Sequence, residues 1–191
     1  GLAIFHFSSS LLYLNNSNYA SVKNNVLSDN TAGNDLYMIY LSSSDYDTLQ
    51  GNSINNNSAN DYPYGIYIDY CREVQIFENT IHDQASYNNS SVYGIHLTNS
   101  SSGIRFQSAN FGRSVVKNNT INGFSNHGIY WNEYGQEFEA KNNSITNNGY
   151  GLYCGNSTYN IDIAYNNSWN NSEYNYGGNL PEGTGNLTDV N

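Results

Sequence analysis

The chain has 191 residues and a formal net charge of −10, with 6 Lys and Arg residues against 16 Asp and Glu residues. This length supports one domain with a substantial core, and the acidic balance argues against a partner rich in phosphate, such as nucleic acid or an anionic membrane. Asparagine occurs 36 times and serine 24 times, yet 19 Tyr and 7 Phe residues argue against disorder.

The first segment, residues 1–5, is apolar and contains neither an initiator Met nor a charged leader. We therefore expect an excerpt of a longer protein, whose chain continues beyond Asn191. No apolar run approaches the ~20 residues that a membrane-spanning helix needs. The sequence thus predicts no membrane span in this segment.

A short unit recurs along the chain, with an apolar residue three places before an Asn and another two places after it. The Asn residues of the unit are Asn25, Asn52, Asn79, Asn119, Asn143 and Asn167. Their intervals are 27, 27, 40, 24 and 24 residues. The last unit fits least well, because Ile161 and Ile163 match better when the register is shifted by one. A period of this size is typical of one coil of a β-solenoid.

A second short strand is predicted in most units, at 65–68, 94–97, 128–131 and 151–154, with 35–39 as an earlier counterpart. Segments this short, β-rich and bounded by Asn, Gly and Ser, leave no room for helices. The sequence therefore predicts an all-β solenoid of about six to seven coils over residues 1–172, followed by an extended tail over 173–191.

The repeated Asn has a structural interpretation. Stacked at one corner of successive coils, its amide can donate a hydrogen bond to one neighbouring coil and accept one from the other, which satisfies polar groups that would otherwise be buried unpaired. Asn also tolerates the left-handed backbone conformation that a sharp bend requires. We therefore predict that the six residues form an asparagine ladder.

The two cysteines, Cys71 and Cys154, are too few for a disulfide framework and lack the spacing of metal ligands. The repeat places them three coils apart, a separation of ~14 Å. A disulfide needs Cα atoms within about 7 Å. Two separate thiols are predicted.

The Asn-Asn-Ser/Thr-Ile units and the Gly-Ile-Tyr strands resemble the right-handed parallel β-helix repeat of pectate-lyase-like and related secreted surface proteins, over residues 15–170. The resemblance implies a right-handed parallel β-helix, while the composition, more than the sequons, favours an extracellular or cell-surface location. It specifies function poorly, because the same repeat serves lyases, glycosidases, phage tailspikes, adhesins and architectural surface proteins.

The 40-residue interval predicts an irregular loop insertion at about 84–113, which is either a tolerated insertion or part of a binding site. Strand alternation also predicts one outward column of Tyr67, His96, Tyr130 and Tyr153. Such a column suits contact with sugar rings, and it equally suits packing against a partner or stacking between coils.

Asn-x-Ser/Thr sequons mark candidate N-glycosylation sites, although a chain this rich in Asn and Ser also forms sequons by chance. The candidates are Asn15, Asn56, Asn88, Asn89, Asn99, Asn118, Asn142, Asn156, Asn166, Asn170 and Asn186.

Two classes of function remain open. The favoured one is an extracellular structural or adhesive β-helix of a cell surface, sheath or filament, without catalysis, cofactor or metal. Its expected partners are carbohydrate, other surface proteins, or a second copy joined end to end.

The alternative is a polysaccharide lyase acting on a uronate-containing glycan. The resemblance implies that Lys117 or Lys141 would then abstract the proton beside the uronate carboxylate and that Ca²⁺ could assist. Arg105 or Arg72 would neutralise that carboxylate.

Overall fold

The computed structural model describes residues 10–82, 85–86, 102–107, 113–132, 137–156 and 160–188. These residues form 22 β-strands and no α-helix. Among the residues described, no helix is long and apolar enough to cross a membrane. His96 and the sequons at Asn88, Asn89 and Asn99 lie outside the described residues.

The strands are short and follow one another around successive coils. In chain order they are β1 (Ser10–Asn15), β2 (Ser21–Lys23), β3 (Val26–Ser28), β4 (Thr31–Ala32), β5 (Leu36–Ser42), β6 (Thr48–Gln50), β7 (Ser53–Asn55), β8 (Ser58–Ala59), β9 (Pro63–Asp69), β10 (Gln75–Phe77), β11 (Thr80–His82), β12 (Ala85–Ser86), β13 (Ser102–Gln107), β14 (Arg113–Lys117), β15 (Thr120–Asn122), β16 (His127–Asn132), β17 (Glu137–Lys141), β18 (Ser144–Thr146), β19 (Tyr150–Asn156), β20 (Ile161–Ala164), β21 (Asn167–Trp169) and β22 (Tyr174–Gly178).

Four parallel sheets run along the axis of the solenoid. Sheet A has seven strands in the order β1-β5-β9-β13-β16-β19-β22, and sheet B has six, β2-β6-β10-β14-β17-β20. Sheet C has six strands, β3-β7-β11-β15-β18-β21, and sheet D has three, β4-β8-β12. Five complete turns separate the first and last strands of sheets B and C, slightly fewer than the predicted six to seven coils. The predicted all-β parallel solenoid is confirmed.

The core consists of apolar columns, because each coil places the same inward position directly over that of its neighbour. In sheet B the column is Leu49, Ile76, Val116, Ala140 and Ile163, and in sheet C it is Leu27, Ile54, Ile81, Ile121 and Ile145. All of these side chains are buried. This is the physical basis of the apolar positions that flank each repeated Asn in the sequence.

The asparagine ladder is confirmed at the corner between sheets B and C. Each ladder Oδ1 accepts two hydrogen bonds from the Asn of the preceding coil, one from its backbone N–H and one from its Nδ2, at 2.9–3.1 Å. The ladder runs through Asn25, Asn52, Asn79, Asn119, Asn143, Asn166 and Asn186.

Two details of the predicted ladder are wrong. Asn166 takes the place expected for Asn167, because the last full interval is 23 residues, and Asn167 instead pairs with Ser144 in sheet C. The left-handed conformation belongs to the residue before each ladder Asn, as at Asn118 and Asn142. Gly51 fills this position in another coil with φ of 64°, which glycine adopts without steric cost.

The boundary predicted at residue 172 is also wrong. Strand β22 is the seventh strand of sheet A, and Leu180 packs against the core. Asn186 extends the ladder by accepting from Asn166. The part of the tail that the structure describes therefore continues the solenoid rather than leaving it.

The prediction of two separate thiols is confirmed, since Cys71 and Cys154 are both buried and neither forms a disulfide. The predicted insertion contains two described strands, β12 in sheet D and β13 in sheet A. That interval therefore includes a regular step of the solenoid, and residues 87–101 and 108–112 within it lie outside the described residues.

Candidate functional site

The predicted column of outward aromatic residues lies on sheet A. Tyr67 pairs in register with Arg105, Arg105 with Tyr130, and Tyr130 with Tyr153. The same register continues in the other direction through Tyr40 and Tyr13. Three of the four predicted residues are therefore brought together in one column.

The place expected for His96 is held by Arg105. The sequence has two Gly-Ile segments, at 94–95 and 103–104, either of which could supply the sheet A strand of this coil. The second segment lies in β13. Strand β13 lies between β9 and β16 in sheet A, so the strand predicted at 94–97 does not have this place.

A second outward column runs beside the first and was missed by the sequence analysis. Tyr37 pairs with Tyr64, His127 with Tyr150, and Tyr150 with Tyr174. We call the two columns together the tyrosine face; its aromatic members are Tyr13, Tyr37, Tyr40, Tyr64, Tyr67, His127, Tyr130, Tyr150, Tyr153 and Tyr174.

The two columns share one face because strands of sheet A turn two consecutive residues inward. Met38 and Ile39 are both fully buried between Tyr37 and Tyr40. In later coils the first inward position is glycine, as at Gly128, where a Cβ would collide with the side chain of Ile145. The outward aromatic residues are thus three residues apart rather than two. The sequence signal for this arrangement was the repeated pattern aromatic-x-x-Tyr.

The rings of the tyrosine face adopt two orientations. Tyr37 and Tyr64 stack at 4.9 Å with planes 9° apart, and His127 stacks on Tyr150 at 4.8 Å. Tyr67 instead stands at 68–83° to Tyr37, Tyr40 and Tyr64. The outcome is a packed aromatic layer in which Tyr37, Tyr40, Tyr67, Tyr130, Tyr150 and Tyr153 are half-buried.

Carboxylates lie at the edge of this layer. The Tyr37 hydroxyl donates to Asp35 Oδ2 at 3.1 Å. Burial, followed by the charge of Asp35, raises the pKa of Tyr37, and burial followed by the charge of Asp69 raises the pKa of Tyr40 to about 12. Burial also raises the pKa of Asp69, against a hydrogen bond from Tyr40 that lowers it. Phenols are protonated at neutral pH in any case, so these shifts extend the range in which both hydroxyls can donate further into alkaline pH.

The lysines of the lyase alternative lie on sheet B, in a cluster around a buried carboxylate. Glu139 Oε1 is 2.7 Å from Lys117 Nζ and 3.1 Å from Lys141 Nζ, and Glu139 Oε2 also pairs with Arg113. Lys141 makes a second ion pair with Asp162 at 2.5 Å. We call these five residues the Glu139 cluster; the sequence analysis did not predict that Glu139 holds it together.

The electrostatics of this cluster favour ion pairing over proton abstraction. Burial alone would raise the pKa of Glu139, but hydrogen bonds from Lys117 and Lys141 outweigh it and lower that pKa. Hydrogen bonds to Asp162 and Glu139 raise the pKa of Lys141. A lysine that acts as a general base needs a pKa lowered toward neutrality. Arg105 lies on sheet A, on a different face of the solenoid.

The predicted sequons fall into two groups where the structure describes their side chains. Asn15, Asn56, Asn118, Asn142 and Asn170 are exposed. Asn166 is fully buried and its amide makes ladder hydrogen bonds, so the folded chain does not offer it for glycosylation. Asn186 is half-buried and accepts the last bonds of the ladder. The side chain of Asn156 lies outside the described part.

No group of three or more His, Cys, Asp or Glu side chains is arranged to hold a metal ion within the described residues. An open cavity of about 370 Å³ lies between the last coil and the tail, lined by Ile163, Tyr176, Leu180 and Pro181 among others. The tyrosine face and the Glu139 cluster are thus the two concentrations of functional groups on the described surface.

Comparison with known proteins identifies the fold family. The chain matches the family model of the right-handed beta helix region over residues 3–112, more than half of its length. No curated protein and no solved structure gives a significant match. Together with the parallel stacked sheets, this match means that the chain belongs to the right-handed beta helix family.

Proposed function

We propose that this β-helix is a non-catalytic structural or adhesive protein of a cell surface, sheath or filament, and that it contacts carbohydrate through the tyrosine face. One observation carries the proposal: two columns of aromatic rings run along sheet A, and six of their tyrosines are half-buried. Tyrosine supplies both an apolar ring and a hydroxyl group, which together match the apolar faces and hydroxyls of a sugar.

An extracellular location is part of the same proposal. It is supported by the exposed sequons at Asn118 and Asn142, which stand on adjacent coils. The acidic surface, with its net charge of −10, also favours a soluble rod that does not bind phosphate-rich partners.

The lyase alternative depends on Lys117 and Lys141. Their placement on adjacent coils is the feature that a uronate lyase would use, but both amino groups are held by Glu139. A lysine engaged in this way would have to leave its ion pair and give up a proton before it could act as a base. The ion pairs with Glu139 therefore favour the binding function over the catalytic one.

The test measures binding and turnover on the same material. Affinity electrophoresis of the full chain through gels containing neutral or uronate polysaccharides is expected to show retardation by at least one polymer. An assay for unsaturated sugar products, with and without Ca²⁺, is expected to stay at background. Product formation that disappears in Lys117→Ala or Lys141→Ala would replace this proposal with the lyase. Absence of retardation by every polymer would refute carbohydrate contact.

A further inference from the structure

We propose that the tyrosine face accepts a neutral polysaccharide that lies along the helix axis, and that it discriminates against uronate polymers. This inference rests on the carbohydrate contact proposed above and specifies its ligand class. Its support comes from the spacing of the rings, the hydroxyl groups of the phenols and the charges at the edge of the face.

The spacing of the rings favours a polymer with a regular repeat. Along the axis the ring centroids of Tyr13 and Tyr40 are 5.0 Å apart, and those of Tyr40 and Tyr67 are 5.1 Å apart. This step follows from the spacing of ~4.8 Å between neighbouring strands. An extended chain of pyranose rings advances by a similar length per sugar, so Tyr13, Tyr40 and Tyr67 are spaced like successive sugars of such a chain.

The phenol groups favour a ligand rich in hydroxyls. The phenols of Tyr37 and Tyr40 are protonated at neutral pH, as tyrosine is in water, and the Tyr37 hydroxyl donates to Asp35 Oδ2 at 3.1 Å. Phenols and carboxylates side by side supply donors and acceptors at the edge of an apolar layer. A second copy of this chain is a poorer occupant, because two molecules of charge −10 repel each other.

The charges at the edge decide between neutral and acidic polymers. Asp35 and Asp69 lie beside Tyr37 and Tyr40, and burial has already raised the pKa of Asp69. A uronate polymer would bring one further negative charge per sugar into this region. Among the residues whose side chains the structure describes, the register positions of the two columns hold no Lys or Arg, so a carboxylate on each sugar would meet no matching positive charge and acidic polymers are repelled.

The experiment compares hexasaccharides by isothermal titration calorimetry with the full chain. The neutral probes are cellohexaose, mannohexaose and xylohexaose, and the acidic probe is hexagalacturonate. At least one neutral probe is expected to bind 10-fold or more tightly than hexagalacturonate, with little dependence on salt. Binding of hexagalacturonate, if measurable, should strengthen as salt screens the repulsion.

Variants test the assignment to this face. Tyr67→Ala and Tyr153→Ala, one in each half of the face, are each expected to weaken neutral binding by 10-fold or more. Tyr165→Ala removes an exposed tyrosine outside the face and should leave the affinity for the neutral probes unchanged. The double variant Asp35→Asn/Asp69→Asn should narrow the preference for neutral probes. The matched variant Asp29→Asn/Glu182→Gln removes two exposed charges elsewhere and should leave the preference for neutral over acidic probes unchanged.

The outcomes separate the two proposals. Tighter binding of hexagalacturonate, or full binding by both tyrosine variants, would overturn this inference while leaving carbohydrate contact intact. If none of the four hexasaccharides binds and no polysaccharide retards the protein, the proposed function falls together with the inference.

Discussion

The asparagine ladder predicts that two Asn→Ala substitutions, at Asn79 and at Asn25, lower the free energy of unfolding by very different amounts. Asn79 lies in the middle of the ladder and is buried. Its Oδ1 accepts from the backbone N–H and from Nδ2 of Asn52, and its Nδ2 donates to Asn119 Oδ1 and to the carbonyl oxygens of Leu49 and Phe77. Asn79→Ala removes all five hydrogen bonds.

The magnitude follows from what is left unpaired. The backbone N–H of Asn52 loses its acceptor inside the protein, and the carbonyl of Leu49 loses a donor. An unsatisfied buried polar group costs about 1–3 kcal/mol. We therefore expect Asn79→Ala to lower the free energy of unfolding by about 3–5 kcal/mol, which corresponds to a fall in Tm of about 6–20 °C for a chain of this size.

Asn25→Ala is the matched control. Asn25 is the first residue of the described ladder and is half-buried. Its Nδ2 donates to Lys23 O and Asn52 Oδ1, both at 3.1 Å, and Asn52 Oδ1 keeps the backbone N–H of Asn25 as a donor. The expected loss is about 0.5–1.5 kcal/mol. Urea titration followed by circular dichroism measures the free energy of unfolding of both variants. An equal loss in the two would refute the idea that the ladder stabilises the fold by pairing buried polar groups.

Three further predictions concern buried ionisable groups. Burial raises the pKa of Asp47 from 3.8 to about 6, so its contribution to stability is full below about pH 4 and is lost as pH rises toward 6. Asp47→Asn should therefore raise the free energy of unfolding by about 2–3 kcal/mol at neutral pH, as measured by urea titration. A lower free energy of unfolding in this variant would contradict the prediction. Lysine contacts lower the pKa of Glu139, so its contribution is present at neutral pH and is lost in acid as the carboxylate protonates. Glu139→Gln should lower the free energy of unfolding by about 1–3 kcal/mol at neutral pH and by little in strong acid. An equal loss at both pH values would show that the charge of Glu139 is not the source of the stabilisation. Burial raises the pKa of the Cys71 thiol to about 12, so a thiol reagent should react with it only after denaturation, and rapid labelling of the native protein would refute its burial.

The repeat in the sequence predicted the fold because each coil reuses one local pattern. An apolar residue on either side of a corner Asn is enough to place two short strands and the ladder between them. This reasoning located Asn25 through Asn143 without knowledge of the tertiary structure. It failed at Asn167, where a shift of one residue leaves a similar pattern and only the hydrogen bonds of Asn166 distinguish the two registers.

The candidate site was less predictable, because its members come from separate coils. Simple alternation found Tyr67, Tyr130 and Tyr153 but not the second column, since alternation does not allow for two consecutive inward residues. The sequence also could not choose between the two Gly-Ile segments, at 94–95 and 103–104, that could supply the strand of this coil in sheet A.

The sequence by itself determined the coil, its corner and the column to which most residues belong, since these depend on neighbours within a few positions along the chain. The tertiary structure decided which side chains of neighbouring columns meet. Stacking brought Glu139 against Lys117 and Lys141 and turned the predicted lysine pair into an ion-pair cluster. It also placed Tyr37 beside Tyr67 and so joined two columns into one face. The physical reason is that contacts between columns depend on how side chains pack across coils, which short-range sequence patterns do not encode.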